Sequence, residues 1–177
     1  MKHYPNILII RGTGRNVGKT FTACRILKNL SLSHHPAAIK ISPHFHPLSE
    51  GMHVLVQTEK YVVAEENTFS GKDSSRMLQA GAHRAFYIQS GHSDVLEPFH
   101  YLMEILEPNQ PIVVESGGLY DFLEPGLLIH IDGGHRDKNS TVRRETNYMN
   151  MASGEVFEYD WNLLTFNNQK YVTYAGI

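Results

Sequence analysis

The sequence holds one cysteine, Cys24, no apolar run near the length of a bilayer-spanning helix, and no surplus of basic charge. A lone thiol excludes an internal disulfide framework, and the missing apolar run excludes a transmembrane helix. The net charge of −2 supplies no positive field for DNA or RNA, so any recognition of phosphate has to be local to one site. There is no signal-peptide pattern, which makes the cytoplasm the expected location. With 41% hydrophobic and 19% charged residues in 177, the composition is that of an ordinary folded chain, and one domain over 1–177 is expected.

What is present is concentrated in residues 12–20, GTGRNVGKT, between the apolar run ILII at 7–10 and a helix-like FTACRILKNL. Strand, glycine-rich turn and helix start form the context of a phosphate-binding loop. Gly12, Gly14 and Gly18 let the backbone curl so that N–H groups converge, and the helix adds its positive end. Lys19 is placed to reach β- and γ-phosphates, and the Thr20 hydroxyl to ligate Mg²⁺ beside them. The nucleotide-binding residues read here are Gly12, Thr13, Gly14, Arg15, Asn16, Val17, Gly18, Lys19, Thr20 and Phe21. The strict motif asks for glycine at position 13, where this chain has Thr13.

Strands are expected at 6–11, 37–41, 85–89, 111–114 and 127–131, with a helix at 18–32 burying Phe21, Cys24, Leu27, Leu30 and Leu32. Alternation on either side of residues 58–60 predicts an inserted β-hairpin over about 52–65, whose apolar face needs a partner. An N-capped helix is expected at 70–82, and another at 93–106. Short strands are expected at 156–159 and 163–166, with a tight turn at Asn167-Asn168 leading into 171–174; late asparagines of this kind can meet a nucleotide base. The polar run 135–146, with Arg143 and Arg144, reads as a loop or lid. The fold class is α/β: a doubly wound, mainly parallel sheet of the P-loop nucleoside-triphosphatase type, with the hairpin and extra short C-terminal strands.

Further candidates lie beyond the loop. Lys40 ends a buried strand, where an ammonium either snorkels to the surface or meets an anion. His44 and His46 follow on a loop, one of eleven histidines apiece, suited to a solvated loop or a substrate contact more than to a metal. Lys72, Asp73, Ser74 and Arg76 open the helix after Gly71, either as a solvated charged turn or as an anion contact. Glu115 leaves a buried strand before Ser116-Gly117-Gly118, positioned to hold Mg²⁺ or a water opposite a γ-phosphate, or to cap a turn.

RNVGKT, IKISPHFHP and above all GKDSSRMLQAGA resemble the molybdopterin-guanine dinucleotide biosynthesis protein B (MobB) family over roughly residues 7–118. The resemblance implies a GTP-binding protein with weak GTPase activity, working as a homodimer beside the guanylyltransferase that attaches GMP to molybdopterin. It maps phosphate and Mg²⁺ onto Gly18, Lys19 and Thr20, and a second ligand onto Lys40, His44, His46, Lys72, Asp73, Ser74 and Arg76. The chain departs from the family at Thr13, at the Phe45 that separates the histidines, and at Ser-Gly-Gly after Glu115. GTGRNVGKT and VVESGGL are also similar to dethiobiotin synthetase, which implies an ATP-dependent ligase or small-molecule kinase, although Gly14 stands where that family has a magnesium-binding aspartate. A non-enzymatic, nucleotide-organised adapter is the third expectation. Lys19 and Glu115 are the expected catalytic groups, Thr20 and Glu115 the expected Mg²⁺ ligands, and GTP or ATP the expected nucleotide.

Overall fold

The computed structural model describes residues 1–134 and 147–173. Strand β1 (His3–Gly12) carries Ile7, Leu8, Ile9 and Ile10 at zero exposure, because both faces of the sheet are covered. Each such side chain contributes roughly 1.5–3 kcal/mol of burial. Helix α1 (Lys19–Leu30) follows, ends where serines and Pro36 interrupt it, and leads to β2 (Ala37–Ser42). The crossover passes over one strand position, and that slot is later filled by β6 (Ile112–Glu115).

The expected hairpin forms as β3 (His53–Gln57) and β4 (Tyr61–Glu66), and its partner is the chain's own sheet: β4 pairs antiparallel with β5 (Arg84–Ser90). Between them lies α2 (Asp73–Gln79), and after β5 comes α3 (Leu96–Ile105). Strand β7 (Glu124–Asp132) lies on the other side of β1, and β8 (Tyr148–Ala152) extends the sheet beyond it. A short helix α4 (Glu155–Glu158) and a separate antiparallel hairpin, β9 (Leu164–Asn167) with β10 (Lys170–Thr173), close the described chain. The architecture is therefore α/β, with an eight-stranded, mainly parallel mixed sheet in the order β3-β4-β5-β2-β6-β1-β7-β8.

Strand alternation separates two cores. Leu8, Ile10, Ala38, Val113, Ile129 and Ile131 face α1, α2 and the C-terminal hairpin, while Ile7, Ile9, Ile39, Phe86, Ile88 and Val114 face α3. Lys40 and Glu115 are register partners on neighbouring strands and share the α1/α2 face with Ile10. Two polar residues thus reach the carboxyl ends of β2 and β6 side by side, under two helices.

Several expectations are corrected. The face of α1 that is buried comprises Thr22, Ala23, Ile26, Leu27 and Leu30, whereas Leu32 lies beyond the helix and is 82% exposed. The second helix begins only at Asp73 and has no side-chain cap, while its C-terminal end does close on a glycine, Gly81 (φ +117), with Gly81 and Ala82 donating to the carbonyls of Leu78 and Met77. Residues 155–158 are helical rather than extended, and β8 was not foreseen. The C-terminal hairpin turns at Asn168 and Gln169 (φ +49 and +62), one residue later than expected. It packs at the end of α1 away from Gly18, where Phe166 meets His34, so these asparagines lie nowhere near the glycine-rich loop. Arg143, Arg144 and the rest of 135–146 lie outside the described residues. Among the described residues no helix is long and apolar enough to cross a membrane.

Candidate functional site

The loop joining β1 to α1 is shaped by close approach on one side and by backbone sign on the other. A Cβ at Gly12 would come within 2.5 Å of the Ile131 carbonyl oxygen, and Gly14 and Gly18 adopt φ +104 and +103, which favour glycine. Asn16 (φ +58) is also left-handed, a conformation that asparagine tolerates better than most residues. Val17 is buried in the core and pins the middle of the loop, while Arg15 and Asn16 face outward.

Thr13, the departure from the strict motif, ties the loop to β7. Its hydroxyl donates to Asp132 Oδ1 (3.1 Å) and accepts from the Gly133 N–H (2.8 Å), and its own N–H donates to the Ile131 carbonyl (3.1 Å). Glycine could not make the two side-chain bonds. Thr13→Val should therefore cost about 1–2 kcal/mol in urea denaturation by leaving the Gly133 N–H unpaired, and Thr13→Ser should recover most of it. An unchanged midpoint for Thr13→Val would show that the tie carries no stability.

At the helix end of the loop, Lys19 Nζ folds back to donate to the Gly14 carbonyl (2.5 Å). Its half-buried position lowers its pKa through desolvation, an effect that Glu115 offsets in part. Next along, the Thr20 hydroxyl donates to Glu115 Oε2 (2.8 Å), and Lys40 Nζ donates to Glu115 Oε1 (2.5 Å). Lys40 also pairs with Asp73 Oδ2 at 2.8 Å, and Asp73 Oδ1 lies 3.8 Å from Arg76. Glu115 is only 2% exposed. Burial on its own would depress Lys40, yet Glu115 and Asp73 raise its pKa above the usual lysine value. Burial likewise pushes the Asp73 carboxyl up, but the bond and charge of Lys40, with Thr20 and Arg76, hold it below the usual carboxylate range.

Two clefts meet at this chain. One of about 510 Å³ is lined by the loop residues Arg15, Asn16 and Gly18 to Phe21, with Lys40, Asp73, Arg76, Glu115 and Phe157. A second, of about 240 Å³, shares Lys40 and Asp73 and is otherwise lined by residues including Ser42, His46, Lys72, Ser74 and Tyr87. Of the residues picked from sequence, His46, Lys72 and Ser74 belong to the second cleft and Arg76 to the first. Ser74 is spoken for structurally, because its hydroxyl donates to the buried Glu66 (2.9 Å). His44 stays exposed on its loop with its ring centroid 6.1 Å from that of His46.

Asp132 and Phe157 were missed in sequence. The Asp-Gly-Gly at the end of β7 was a usable signal for the first, but nothing local marked the second. Among the described residues no three His, Cys, Asp or Glu side chains cluster as a metal centre. A nucleotide-borne Mg²⁺ needs fewer, since phosphate and water supply most of its ligands, and the hard oxygens of Thr20 and Glu115 fit that limited role.

Fold and site together define an α/β protein with a glycine-rich turn, two lysines and a buried carboxylate converging at the carboxyl ends of parallel strands, where open sheets of this class bind ligands. No family model, no curated protein and no solved structure matches the chain.

Proposed function

We propose that the chain is a P-loop nucleoside-triphosphate-binding protein that takes GTP with Mg²⁺ and hydrolyses it slowly, in the manner of the MobB family it resembles. The observation that carries this reading is the chain Thr20–Glu115–Lys40–Asp73 set directly after the glycine-rich loop. Loop N–H groups and the end of α1 would cradle the phosphates, and Lys19 would exchange the Gly14 carbonyl for a phosphate oxygen. Thr20 would hold Mg²⁺ directly and Glu115 through water. When bound, the ion neutralises charge on the phosphate oxygens. Lys40, fixed by two carboxylates, keeps a positive charge between the two clefts and stabilises negative charge that develops there.

Turnover should be slow because the nearby carboxylates make poor bases. Asp73 is held ionised below its usual range, and both oxygens of Glu115 are already engaged. Phosphate release from Mg-GTP should stay well below one per second, and a fast intrinsic rate would overturn this assignment of roles. On the MobB-like reading the protein acts as a homodimer, and the guanylyltransferase and molybdopterin are its partners.

The second cleft favours one alternative. A site for another substrate that shares Lys40 and Asp73 with the nucleotide cleft suits phosphoryl transfer by an ATP-dependent ligase or small-molecule kinase. Production of nucleoside diphosphate from GTP and from ATP separates the two readings: GDP formed from GTP without a second substrate supports the first, and ADP formation from ATP that is stimulated by a second substrate supports the second.

A further inference from the structure

Among the described residues, Phe157 is the one lining residue of the nucleotide cleft contributed by the C-terminal segment. Its helix follows β8, two strands beyond β1 on one side, whereas Lys40 lies on β2, two strands beyond β1 on the other. The loop is therefore flanked by charge at one end and by an aromatic ring at the other. That ring is 57% exposed, with its centroid 4.7 Å from that of Phe21, the residue immediately after Thr20.

The position is held firmly although the helix is a single turn. Val156 is fully buried and packs over Gly18, where an added Cβ would come within 2.7 Å of it. The Val156 carbonyl accepts from Trp161 Nε1 (3.0 Å), and the Ala152 N–H donates to Glu155 Oε2 (2.7 Å). The ring lies against Phe21 and close to Gly18, where an added Cβ would meet its edge at 3.6 Å, and more than half of its surface stays open to the cleft.

We infer that Phe21 and Phe157 form the ledge on which the base of the bound nucleotide stacks; the inference rests on the phosphate site proposed above. Phe21 follows directly on residues 18–20 in the lining of that cleft, and among the described residues that line it the other aromatic ring is Phe157. Stacking reads the π-face of a base and not its hydrogen-bonding edge. The ledge thus favours the larger purine rings over pyrimidines and separates guanine from adenine only weakly.

The test is calorimetric titration of the full chain, wild type, Phe157→Ala and Phe157→Tyr, with the Mg²⁺ complexes of GTP, ATP, UTP and inorganic tripolyphosphate. Phe157→Ala should weaken GTP and ATP binding by about tenfold and leave tripolyphosphate unchanged, while Phe157→Tyr stays near wild type. Unchanged purine affinity in Phe157→Ala, or an equal loss for tripolyphosphate, overturns the ledge. Wild-type binding of tripolyphosphate as tight as that of GTP overturns the ledge alone. Failure of every one of these ligands to bind overturns the phosphate site and the ledge with it.

Discussion

Lys19→Ala is expected to weaken binding of Mg-GTP roughly ten- to hundredfold, the value of one charge-assisted contact to phosphate, with little change in stability. The two halves of that expectation come from the same geometry. In the free chain Lys19 donates to a carbonyl of its own loop and loses free energy by desolvation, so the fold gains almost nothing from the ammonium. Calorimetric titration and a thermal melt on the same sample check both. Wild-type affinity would remove Lys19 from the site, and a large fall in melting temperature would make it a structural residue instead.

Glu115→Ala should cost about 3–5 kcal/mol in urea denaturation, because it strands Lys40 in a buried setting and leaves the Thr20 hydroxyl without its acceptor. Asp73 remains as a partial partner for Lys40, which places the expectation toward the lower end of that range. Removing both charges, in Lys40→Met combined with Glu115→Leu, should recover much of the loss. A Glu115 that merely capped a turn would cost under about 1 kcal/mol and show no coupling to Lys40.

The first half of the fold was legible because its signals are local and strong. ILII before a glycine-rich turn and a helix has few alternative readings, and the alternation around residues 58–60 marked the hairpin. Sequence also singled out Lys40 and Glu115 separately, as charges at the ends of apolar strands. Their pairing was not visible, because it depends on β6 entering the slot between β2 and β1, a fact of topology that no local pattern encodes.

The C-terminal third was harder for the same reason. In β8 burial alternates, with Met149 and Met151 toward the core and Tyr148, Asn150 and Ala152 outward, but the outward positions of this edge strand carry Tyr and Ala beside Asn, which blurs the contrast in YMNMA. Val156, Phe157 and Tyr159 have strand propensity, yet tertiary contacts with Gly18 and Trp161 impose a helical turn there. Helical spacing alone puts Phe21 and Cys24 on the core face of α1, but Phe21 turns toward the cleft and Cys24 is only partly buried.

The central claim is that the cleft beside residues 12–20 binds a nucleoside triphosphate, and isothermal titration of the wild-type chain with GTP and with ATP, each with Mg²⁺ and with EDTA, tests it most directly. The account predicts saturable one-to-one binding of at least one of them that weakens when Mg²⁺ is withdrawn. No binding of either nucleotide in the presence of Mg²⁺ would contradict it.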